Sequence, residues 1–597
     1  MSNGLNHIAK LLQLLHKRSP GFPKCSAELN HSGVLELRFP LRDAEGLLLR
    51  VSPRSEGKAW KRTASFDLSI AGSWPNGLPK NGQTLLSRFA ELLERSDNGT
   101  LSLPTPPQSG HSSTPQPTPW SETQRLEIQA QRAAYAAELH WSSFIGYKSL
   151  MTEDLYPHTT PLGDVVSTAT ILEDWKHSLP FITNGGGPDR LGLYVHIPFC
   201  TVACSFCACA KTDNFKRRKF DRYLENLREE IALFRPLFKG LQFTSVYFGG
   251  GTPSLLPAPY MRKLFTELYS AFEVPPGTQV IFEGNPDSLN DSKIEVLATV
   301  GRVTRLTIGV QTLDDAVQKR IKRHNKPHYV SDALESARKW GINHVNVDLM
   351  AGLPEQTMES FMTDLAFLNS LEPDTIHINA FRPFPHIELS AQGYQFTPER
   401  VALRDAMEDA ADSWLEKHGH RSFGHQRRRK TASASNVQLY DLRKQNSSLL
   451  GLGFPALAHA FGRSYYTTHS RGDFDRQLEL HLRQRQWLRV PAGKKEEIHK
   501  YLVTNFRTGF ERSDFKEIFG VDVMHVAETP INKLVGLGYL ELTDSHIVSR
   551  IANNIEHMAV RGLLYSPDLT ERILQKWGDS YDPDADYIGQ IEQLVES

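Results

Sequence analysis

The sequence lacks the features that mark membrane, secreted and nucleic-acid-binding proteins. Its 597 residues carry 68 basic and 68 acidic side chains, so no net charge attracts nucleic acid or an anionic membrane surface. It has no run of about 18 uncharged apolar residues, and no basic N-terminal segment followed by an apolar core. Its five cysteines are too few and too clustered for a disulfide framework. We therefore expect a cytoplasmic protein that binds neither nucleic acid nor membrane.

The cysteines that are present are concentrated in one short stretch. Cys200, Cys204, Cys207 and Cys209 lie within ten residues, with the spacing C-x3-C-x2-C-x-C. They follow an apolar run at 191–195 that predicts a buried strand, so we expect the thiols on the loop at the carboxyl end of that strand. Thiolates clustered in this way bind soft metals, either as a tetrahedral zinc site or as an iron-sulfur cluster.

The spacing favours iron and sulfur over zinc. Zinc modules usually present two C-x2-C pairs about a dozen or more residues apart, or add histidines at fixed offsets. The one other cysteine here is Cys25. Three cysteines on one loop can instead hold three irons of a 4Fe-4S cluster and leave the fourth iron open to a small molecule. Zinc binding by all four clustered cysteines, or plain burial of the thiols, remains the alternative.

Residues 1–102 predict a small α+β domain of unknown role. Helical periodicity from Ile8 to Leu15 precedes alternating runs typical of half-buried strands, and a second helix is predicted at about 82–95. The strands are predicted at Val34–Phe39, Leu47–Val51 and Ala64–Ile70. The segment has no recognisable catalytic set. It is therefore either a docking or stabilising module, or a domain that binds a carrier, a partner or part of the substrate.

A linker separates this domain from the rest of the chain. Residues 103–120 are rich in proline, serine and threonine, which predicts an extended tether. Residues 121–190 begin with a helix, because Ser121 and Gln124 have the spacing of a capping box. The proline-punctuated part that follows is expected to wrap the edge of the next domain.

Between residues 191 and 383 the pattern alternates between strand and helix six times. The candidate strands are Leu191–His196, Thr244–Phe248, Gln279–Glu283, Arg305–Val310, His344–Leu349 and Thr375–Ala380. Such alternation predicts a parallel sheet with helices outside it, and six units indicate an open, partial (β/α)6 barrel whose lateral gap admits a sizeable substrate. Residues 384–597 are expected to form a C-terminal region that caps the barrel and selects the substrate.

The sequence around the cysteines, YVHIPFCTVACSFCAC, resembles that of the radical S-adenosylmethionine (SAM) enzymes. Within them it is similar to the branch of the oxygen-independent coproporphyrinogen III oxidases, which includes the class C radical SAM methyltransferases. The resemblance implies that Cys200, Cys204 and Cys207 bind a 4Fe-4S cluster whose open iron is chelated by SAM. It also implies that Cys209 is a non-ligand near the substrate and that Tyr194 lies near the substrate or the sulfonium.

Loops at the ends of the later strands carry further residues to which the resemblance assigns roles. Gly249, Gly250, Gly251 and Thr252 would receive the amino end of SAM; from the residues alone they would be a tight turn. Glu283 would hold the ribose hydroxyls, and Gln311 and Arg323 the methionine part of SAM. Asp348 would contact a second SAM. Taken alone, Glu283 could face solvent and Asp348 could be a buried structural carboxylate.

The C-terminal region both follows and departs from this branch. The basic stretch 418–430 stands where relatives have a strand-like segment, and its arginines Arg427 to Arg429 would bind an acidic substrate or a reducing protein, or form a solvated loop. The stretch 450–459 is similar to the LGLGAGAHS turn of the relatives, with Phe454 and Pro455 as substitutions. Residues 501–550 are similar to their small winged-helix-like α+β cap.

The implied reaction is reductive cleavage of SAM to a 5'-deoxyadenosyl radical, with a second SAM used to methylate or alkylate an apolar or heteroaromatic substrate. One alternative is the oxidase reaction itself, decarboxylation of the propionates of coproporphyrinogen III. Another is a haem chaperone on the same fold. The expected partners are a small-molecule substrate and an electron donor such as flavodoxin or ferredoxin. Oligomeric state is left open.

Overall fold

The computed structural model describes residues 117–596 except 118, 153–162, 185–186, 189, 214–216, 385–386, 424–425, 430–444 and 469–473, and before them only four strands. The chain forms two compact units, Met1–Pro115 and Gln116–Ser597. The strands of the first unit are Ser26–Leu29 (β1), Leu35–Leu41 (β2), Ala44–Pro53 (β3) and Phe66–Ala71 (β4). They form an antiparallel sheet in sequence order.

The three strands predicted for this unit correspond to β2, β3 and β4, and alternating apolar and polar residues explain them. Strand β1, SAEL, is too short to show a pattern and was not predicted. The predicted helices near residues 8–15 and 82–95, and Cys25, lie outside the described residues.

The second unit contains a mixed sheet with helices around it. Its strands are Asp164–Val166 (β5), Leu191–Ile197 (β6), Ser245–Gly250 (β7), Gln279–Gly284 (β8), Arg305–Gln311 (β9), His344–Ala351 (β10), Thr375–Ala380 (β11), His420–Phe423 (β12), Gln426–Arg429 (β13), Ser448–Leu452 (β14), Ala458–Ala460 (β15), Ser464–Thr467 (β16), Trp487–Pro491 (β17), Phe510–Glu511 (β18), Leu540–Leu542 (β19) and His546–Ser549 (β20). Its helices are Glu122–Ala134 (α1), Ala136–Thr152 (α2), Thr168–Thr183 (α3), Arg217–Phe234 (α4), Ala258–Ala271 (α5), Asp291–Thr299 (α6), Asp315–Arg320 (α7), Pro327–Lys339 (α8), Met358–Ser370 (α9), Glu388–Ala391 (α10), Pro398–Lys417 (α11), Phe474–Gln484 (α12), Lys494–Asn505 (α13), Arg512–Phe519 (α14), Val523–Gly536 (α15), Asn554–Val560 (α16), Pro567–Trp577 (α17) and Tyr587–Glu596 (α18).

Strands β6 to β11 are parallel neighbours in sequence order, which confirms the predicted alternation. Their near-continuous apolar composition suits strands covered on both faces. Helix α4 shows how the outer layer packs, since Phe220, Tyr223, Leu224 and Leu227 follow helical spacing and are all buried. The capping box predicted at Ser121 also forms and opens α1.

The sheet extends beyond the six predicted strands, to thirteen. Next to β6 lies β14, parallel to it, so part of the stretch expected as a LGLG turn is a strand. On the other side, the basic stretch expected to depart from a strand-like segment forms the hairpin β12–β13, and β13 pairs with β11. An open edge at β11 would leave unpaired backbone groups, and the hairpin satisfies them.

A buried polar network joins α13 to the loops and strands beside it. The Glu497 carboxylate accepts hydrogen bonds from Asn446 Nδ2 (2.8 Å), His459 Nε2 (2.7 Å) and Tyr465 OH (3.1 Å). Lys500 is also buried, and its Nζ lies 4.8 Å from the Tyr465 ring centroid without a hydrogen-bond partner among the described residues. The carboxylate is thus well satisfied, whereas the ammonium is not.

The C-terminal part has a second apolar core built by α13 to α15 and the small sheet β18–β20–β19. Within residues 501–550, helices are followed by the two short strands β19 and β20, and the winged-helix-like cap expected there stays a prediction. Within the described ranges, no helix is both long and apolar enough to span a membrane.

Candidate functional site

The four clustered cysteines lie on the loop that leaves β6, as expected. Both ends of the loop are held together, because Cys200 N donates to Thr212 O (2.9 Å) and Thr212 N donates to Pro198 O (2.8 Å). Ser205 N donates to Ile321 O (3.2 Å), which fastens the middle of the loop beyond β9. Cys200 is buried, Cys204 and Cys207 are partly exposed, and Cys209 is exposed. The loop therefore presents its thiols at the carboxyl edge of the parallel strands.

Hydrogen-bond donors reach three of these sulfurs. Thr252 Oγ1 lies 3.4 Å from Cys200 Sγ, and Arg323 Nη1 lies 3.5 Å from Cys204 Sγ. A hydrogen bond from the Cys209 thiol is the main reason that the pKa of Cys207 falls to about 5, and the pKa of Cys209 rises well above its usual value for the same reason. The hydrogen bond thus favours the thiolate form of Cys207, which is the form that binds metals.

Cys200 behaves differently, since burial raises its thiol pKa to about 11. Because a metal displaces the proton of a thiol that binds it, metal binding by Cys200 would release a proton. In the described part of the chain, no three His, Cys, Asp or Glu side chains are arranged to hold one metal ion. Three thiols on one loop are a donor set that fits an iron-sulfur cluster.

The glycines at the end of β7 and directly after it allow the backbone to approach the cysteine loop closely. Gly250 has φ +116°, and a Cβ there would lie 2.6 Å from His196 Nε2. A Cβ on Gly251 would lie 2.7 Å from the carbonyl oxygen of Phe199. Gly251 N and Thr252 N already donate to Ile197 O and Phe199 O, both at 2.8 Å. Gly250 N also hydrogen-bonds to the Glu283 carboxylate, so Gly250, Gly251 and Thr252 tie β7 to its neighbours, and a role of Gly249 to Thr252 in binding SAM stays a prediction.

Glu283 ends β8 inside the barrel, beside aromatic residues of β6 and β7. Tyr247 OH donates to Glu283 Oε1 (2.5 Å), and the Tyr194 and Tyr247 rings lie 5.9 Å apart. Glu283 is partly exposed, yet desolvation by the surrounding protein raises its pKa to about 7, with Asp348 contributing. Tyr194 OH is also held, 2.9 Å from His196 Nδ1. These side chains therefore form one connected polar wall.

Gln311 ends β9, and Arg323 contacts the same strand at Gly309. Gln311 has φ +68°, uncommon for a residue with a side chain, and the pairing with β10 shifts register there. Arg323 donates to Gly309 O and to Asn285 Oδ1 (3.3 Å), in addition to its contact with Cys204. Gln311 Oε1 and Arg323 Nε are buried without a partner among the described residues. Such atoms are costly unless a ligand or water completes them.

Asp348 lies on β10, next to Asn346 and His377. Asn346 Nδ2 donates to Asp348 Oδ1 (2.7 Å), and His377 Nδ1 lies 3.4 Å from the same oxygen. Asp348 raises the pKa of both Tyr247 and Glu283, so it lies within electrostatic reach of them. The barrel strands thus bring the predicted Tyr194, Glu283 and Asp348 within electrostatic reach of one another, and Arg323 joins the cysteine loop to Gly309 of β9.

Several residues of this site were not predicted. Tyr247 and Asn285 adjoin predicted residues in the runs VYFGGG and FEGNP, and that adjacency was an available signal. Lys211 Nζ donates to Cys207 O (2.9 Å), close behind the cysteines. Asn346 was reachable from the sequence, since it stands two residues before Asp348 on the same strand, whereas His377 reaches Asp348 only through the pairing of β10 with β11.

Comparison with known proteins agrees with the resemblance found in the sequence. Residues 194–368 match the radical SAM superfamily. An oxygen-independent coproporphyrinogen III oxidase of Escherichia coli (strain K12) is 34% identical over 201 residues, covering 34% of this chain and 44% of that protein. The corresponding enzyme of Helicobacter pylori (strain ATCC 700392 / 26695) is 26% identical over 367 residues, covering 58% of this chain and 79% of that protein.

Two further matches complete the comparison. A Heme chaperone HemW of Lactococcus lactis is 36% identical over 172 residues, covering 29% of this chain and 44% of that protein. The solved structure of coproporphyrinogen III oxidase (HemN) from Escherichia coli, a radical SAM enzyme, aligns with a TM-score of 0.54 and 22% identity over 67% of this chain and 93% of that one. This chain thus spans less than half the length of the E. coli and Lactococcus relatives in its sequence matches.

These matches confirm the radical SAM domain, the homology to the oxygen-independent coproporphyrinogen III oxidases and the radical SAM α/β fold with its mixed sheet. Radical SAM proteins use a 4Fe-4S cluster and SAM, so the predicted cofactors are confirmed at the level of the family.

Proposed function

We propose that this chain, whose residues 194–368 are a radical SAM domain, is an enzyme that cleaves SAM reductively at a 4Fe-4S cluster. The observation that supports this most directly is the contact of Arg323 with Cys204, Gly309 and Asn285. One guanidinium there links the proposed cluster loop to the proposed SAM-binding strand end. When bound, the cluster and SAM supply cleavage of a sulfur–carbon bond and abstraction of a hydrogen atom from the substrate.

The chain's own residues bind and orient in this proposal. Cys200, Cys204 and Cys207 hold the cluster, and Arg323 has donors suited to a carboxylate such as that of SAM. Glu283, steadied by Tyr247, accepts hydrogen bonds from the ribose hydroxyls. The polar wall and the apolar helices behind it keep bulk water away from the reacting atoms.

For the substrate, the relatives favour the oxidase reaction over the methylation or alkylation that the sequence first suggested. Two of the matched relatives are named oxygen-independent coproporphyrinogen III oxidase, so we infer oxidative decarboxylation of a propionate-bearing tetrapyrrole as the leading reaction. Methylation or alkylation with a second SAM at Asp348 is the second candidate. It is supported by Ala208 and Ala210, which stand where the oxidases have glycine and asparagine. The similarity to a Heme chaperone HemW keeps haem binding as a third.

The main experiment is anaerobic incubation of the reconstituted protein with SAM and a chemical reductant. Formation of 5'-deoxyadenosine supports the proposal, and its absence from protein with a full cluster contradicts it. With coproporphyrinogen III added, release of carbon dioxide identifies the oxidase. Formation of S-adenosylhomocysteine with a heteroaromatic substrate identifies alkyl transfer. A natural electron donor such as flavodoxin or ferredoxin is tested by replacing the chemical reductant with it.

Cysteine variants test the ligand assignment. Cys207→Ala is expected to lose the cluster, measured as iron, acid-labile sulfide and visible absorption. Cys209→Ala is expected to keep the cluster and lose substrate turnover, because Cys209 is assigned to the substrate side. Cys25→Ala is the matched control outside the motif. Full iron content in Cys207→Ala, or its loss in Cys209→Ala, would refute the assignment.

A further inference from the structure

A lysine lies against the C-terminal end of the cysteine loop. Lys211 follows Cys209 closely in the sequence, and its Nζ donates to Cys207 O (2.9 Å) and Cys209 O (3.4 Å). The ammonium is therefore turned back towards the last two cysteines of the motif. Because the side chain is partly buried, solvent and salt screen its charge incompletely.

The charge of Lys211 is not compensated by a carboxylate that contacts it. Both hydrogen-bond partners that it has among the described residues are neutral carbonyl oxygens. Two carboxylates near the same loop have other contacts: Asp213 Oδ2 accepts from Ala203 N (3.4 Å), and Asp475 forms an ion pair with Lys219. The positive charge of Lys211 is thus available to the cysteine sulfurs.

The cysteines are the anionic groups that act on this ammonium. Burial lowers the pKa of Lys211, but negative charge on Cys207 and Cys209 outweighs burial, and the pKa is raised. Lys211 is therefore a cation at neutral pH. A 4Fe-4S cluster with three thiolate ligands carries a net negative charge that grows by one on reduction, and net charge helps to set its potential. A fixed cation beside the thiolates favours the reduced form.

We propose that Lys211 raises the reduction potential of the bound cluster, and so determines how strong a reductant is needed before SAM is cleaved. This inference rests on the proposed function and adds a residue that acts on the cluster through its charge without being a ligand. Arg323 also brings a cation to the loop, but its contacts with Gly309 and Asn285 belong to the proposed SAM site. The described hydrogen bonds of Lys211 stay within the cysteine loop, so its charge can be removed while the Arg323 contacts remain.

The test is an anaerobic redox titration of the full-length protein with its cluster reconstituted, in the absence of SAM and substrate. Dithionite supplies one electron to each cluster, and electron paramagnetic resonance of the reduced form gives the midpoint potential. Lys211→Gln removes the charge but keeps an N–H donor for the loop carbonyls. At a fixed potential it is expected to lower the ratio of reduced to oxidised cluster at least about tenfold, a shift of about 59 mV in the midpoint.

Two further variants separate charge from other effects. Lys211→Arg keeps the charge and should keep most of the wild-type midpoint. Lys239→Gln makes the same charge change at an exposed lysine between α4 and β7, at the amino-terminal edge of the barrel strands and away from the cysteine loop. It is the matched control and should titrate as the wild type does.

A wild-type midpoint in Lys211→Gln with full iron and sulfide would overturn the proposal. So would an equal shift in Lys211→Arg or in Lys239→Gln, because the shift would then not come from the charge at this place. Should Lys211→Gln lose its iron, Lys211→Met is titrated instead, and loss of iron from both neutral variants would overturn the proposal by assigning Lys211 a structural role. Formation of 5'-deoxyadenosine by the wild type reports on the proposed function separately, since a cluster can be titrated in a protein that does not cleave SAM.

Discussion

The affinity for SAM is expected to depend on the ionisation of Glu283. Its pKa is raised to about 7 because the barrel displaces water from it and Asp348 lies nearby, while the hydrogen bond from Tyr247 works in the opposite direction. The ribose hydroxyls donate hydrogen bonds, so the ionised carboxylate is the form that accepts both of them. A raised pKa means that the carboxylate is protonated below about 7 and ionised above it. SAM binding should therefore tighten as pH rises through this value.

The size of the effect follows from the fraction ionised. For a pKa of about 7, roughly a tenth of Glu283 is ionised at about pH 6 and roughly nine tenths at about pH 8. The dissociation constant for SAM is then expected to be about tenfold larger at the lower pH. Tyr247→Phe removes the donor that favours the ionised form, so its transition should move to higher pH. Glu283→Gln has no ionisation and should bind weakly at every pH.

The assay is anaerobic equilibrium dialysis of SAM against protein with an oxidised cluster, since without reductant SAM is not cleaved. Glu335→Gln, on an exposed position of α8, serves as the matched carboxylate control and should keep the wild-type profile. A wild-type affinity that does not change between the two pH values would refute the reasoning. So would a Glu283→Gln variant that retains the full pH dependence, because another group would then be responsible.

Three further predictions concern the surrounding structure. Arg323→Lys should keep its iron but bind SAM about tenfold more weakly in the same dialysis, because one ammonium cannot replace the forked contacts to Gly309 O and Asn285; unchanged affinity would contradict this. Gly250→Ala should lower the thermal midpoint more than Gly277→Ala does, since both have positive φ but only the first places a Cβ 2.6 Å from His196 Nε2; equal losses would show that the contact is relieved. Lys500→Met should stabilise the protein by roughly 1–3 kcal/mol in urea titrations near neutral pH, because burial lowers the pKa of Lys500 to about 8 and charging it opposes folding. In the wild type this cost should fade as pH rises from about 8 towards 10.5, and a less stable methionine variant would contradict the account.

Local pattern was sufficient for the barrel but not for the sheet as a whole. The strands β6 to β11 were predicted to within two residues at each end, because each is a short apolar run flanked by amphipathic helices. The additions at the two sides were not predicted. Strands such as β12 and β15 have three or four residues and show too little alternation, and β14 is placed beside β6 by pairing between residues far apart in sequence.

The sequence by itself determined the chemistry of the cysteine loop and the order of the parallel strands. Both depend on spacing and periodicity within short segments, which can be recognised in the sequence without knowledge of the fold. Only the tertiary structure decided that Arg323 reaches Cys204, that Cys209 lies against Cys207, and that His377 faces Asp348. Those contacts depend on which strands are neighbours and in what register. A shift of one residue in the register of a strand would turn each of its side chains to the opposite face of the sheet. The pairing partner that sets this register lies far away in the sequence.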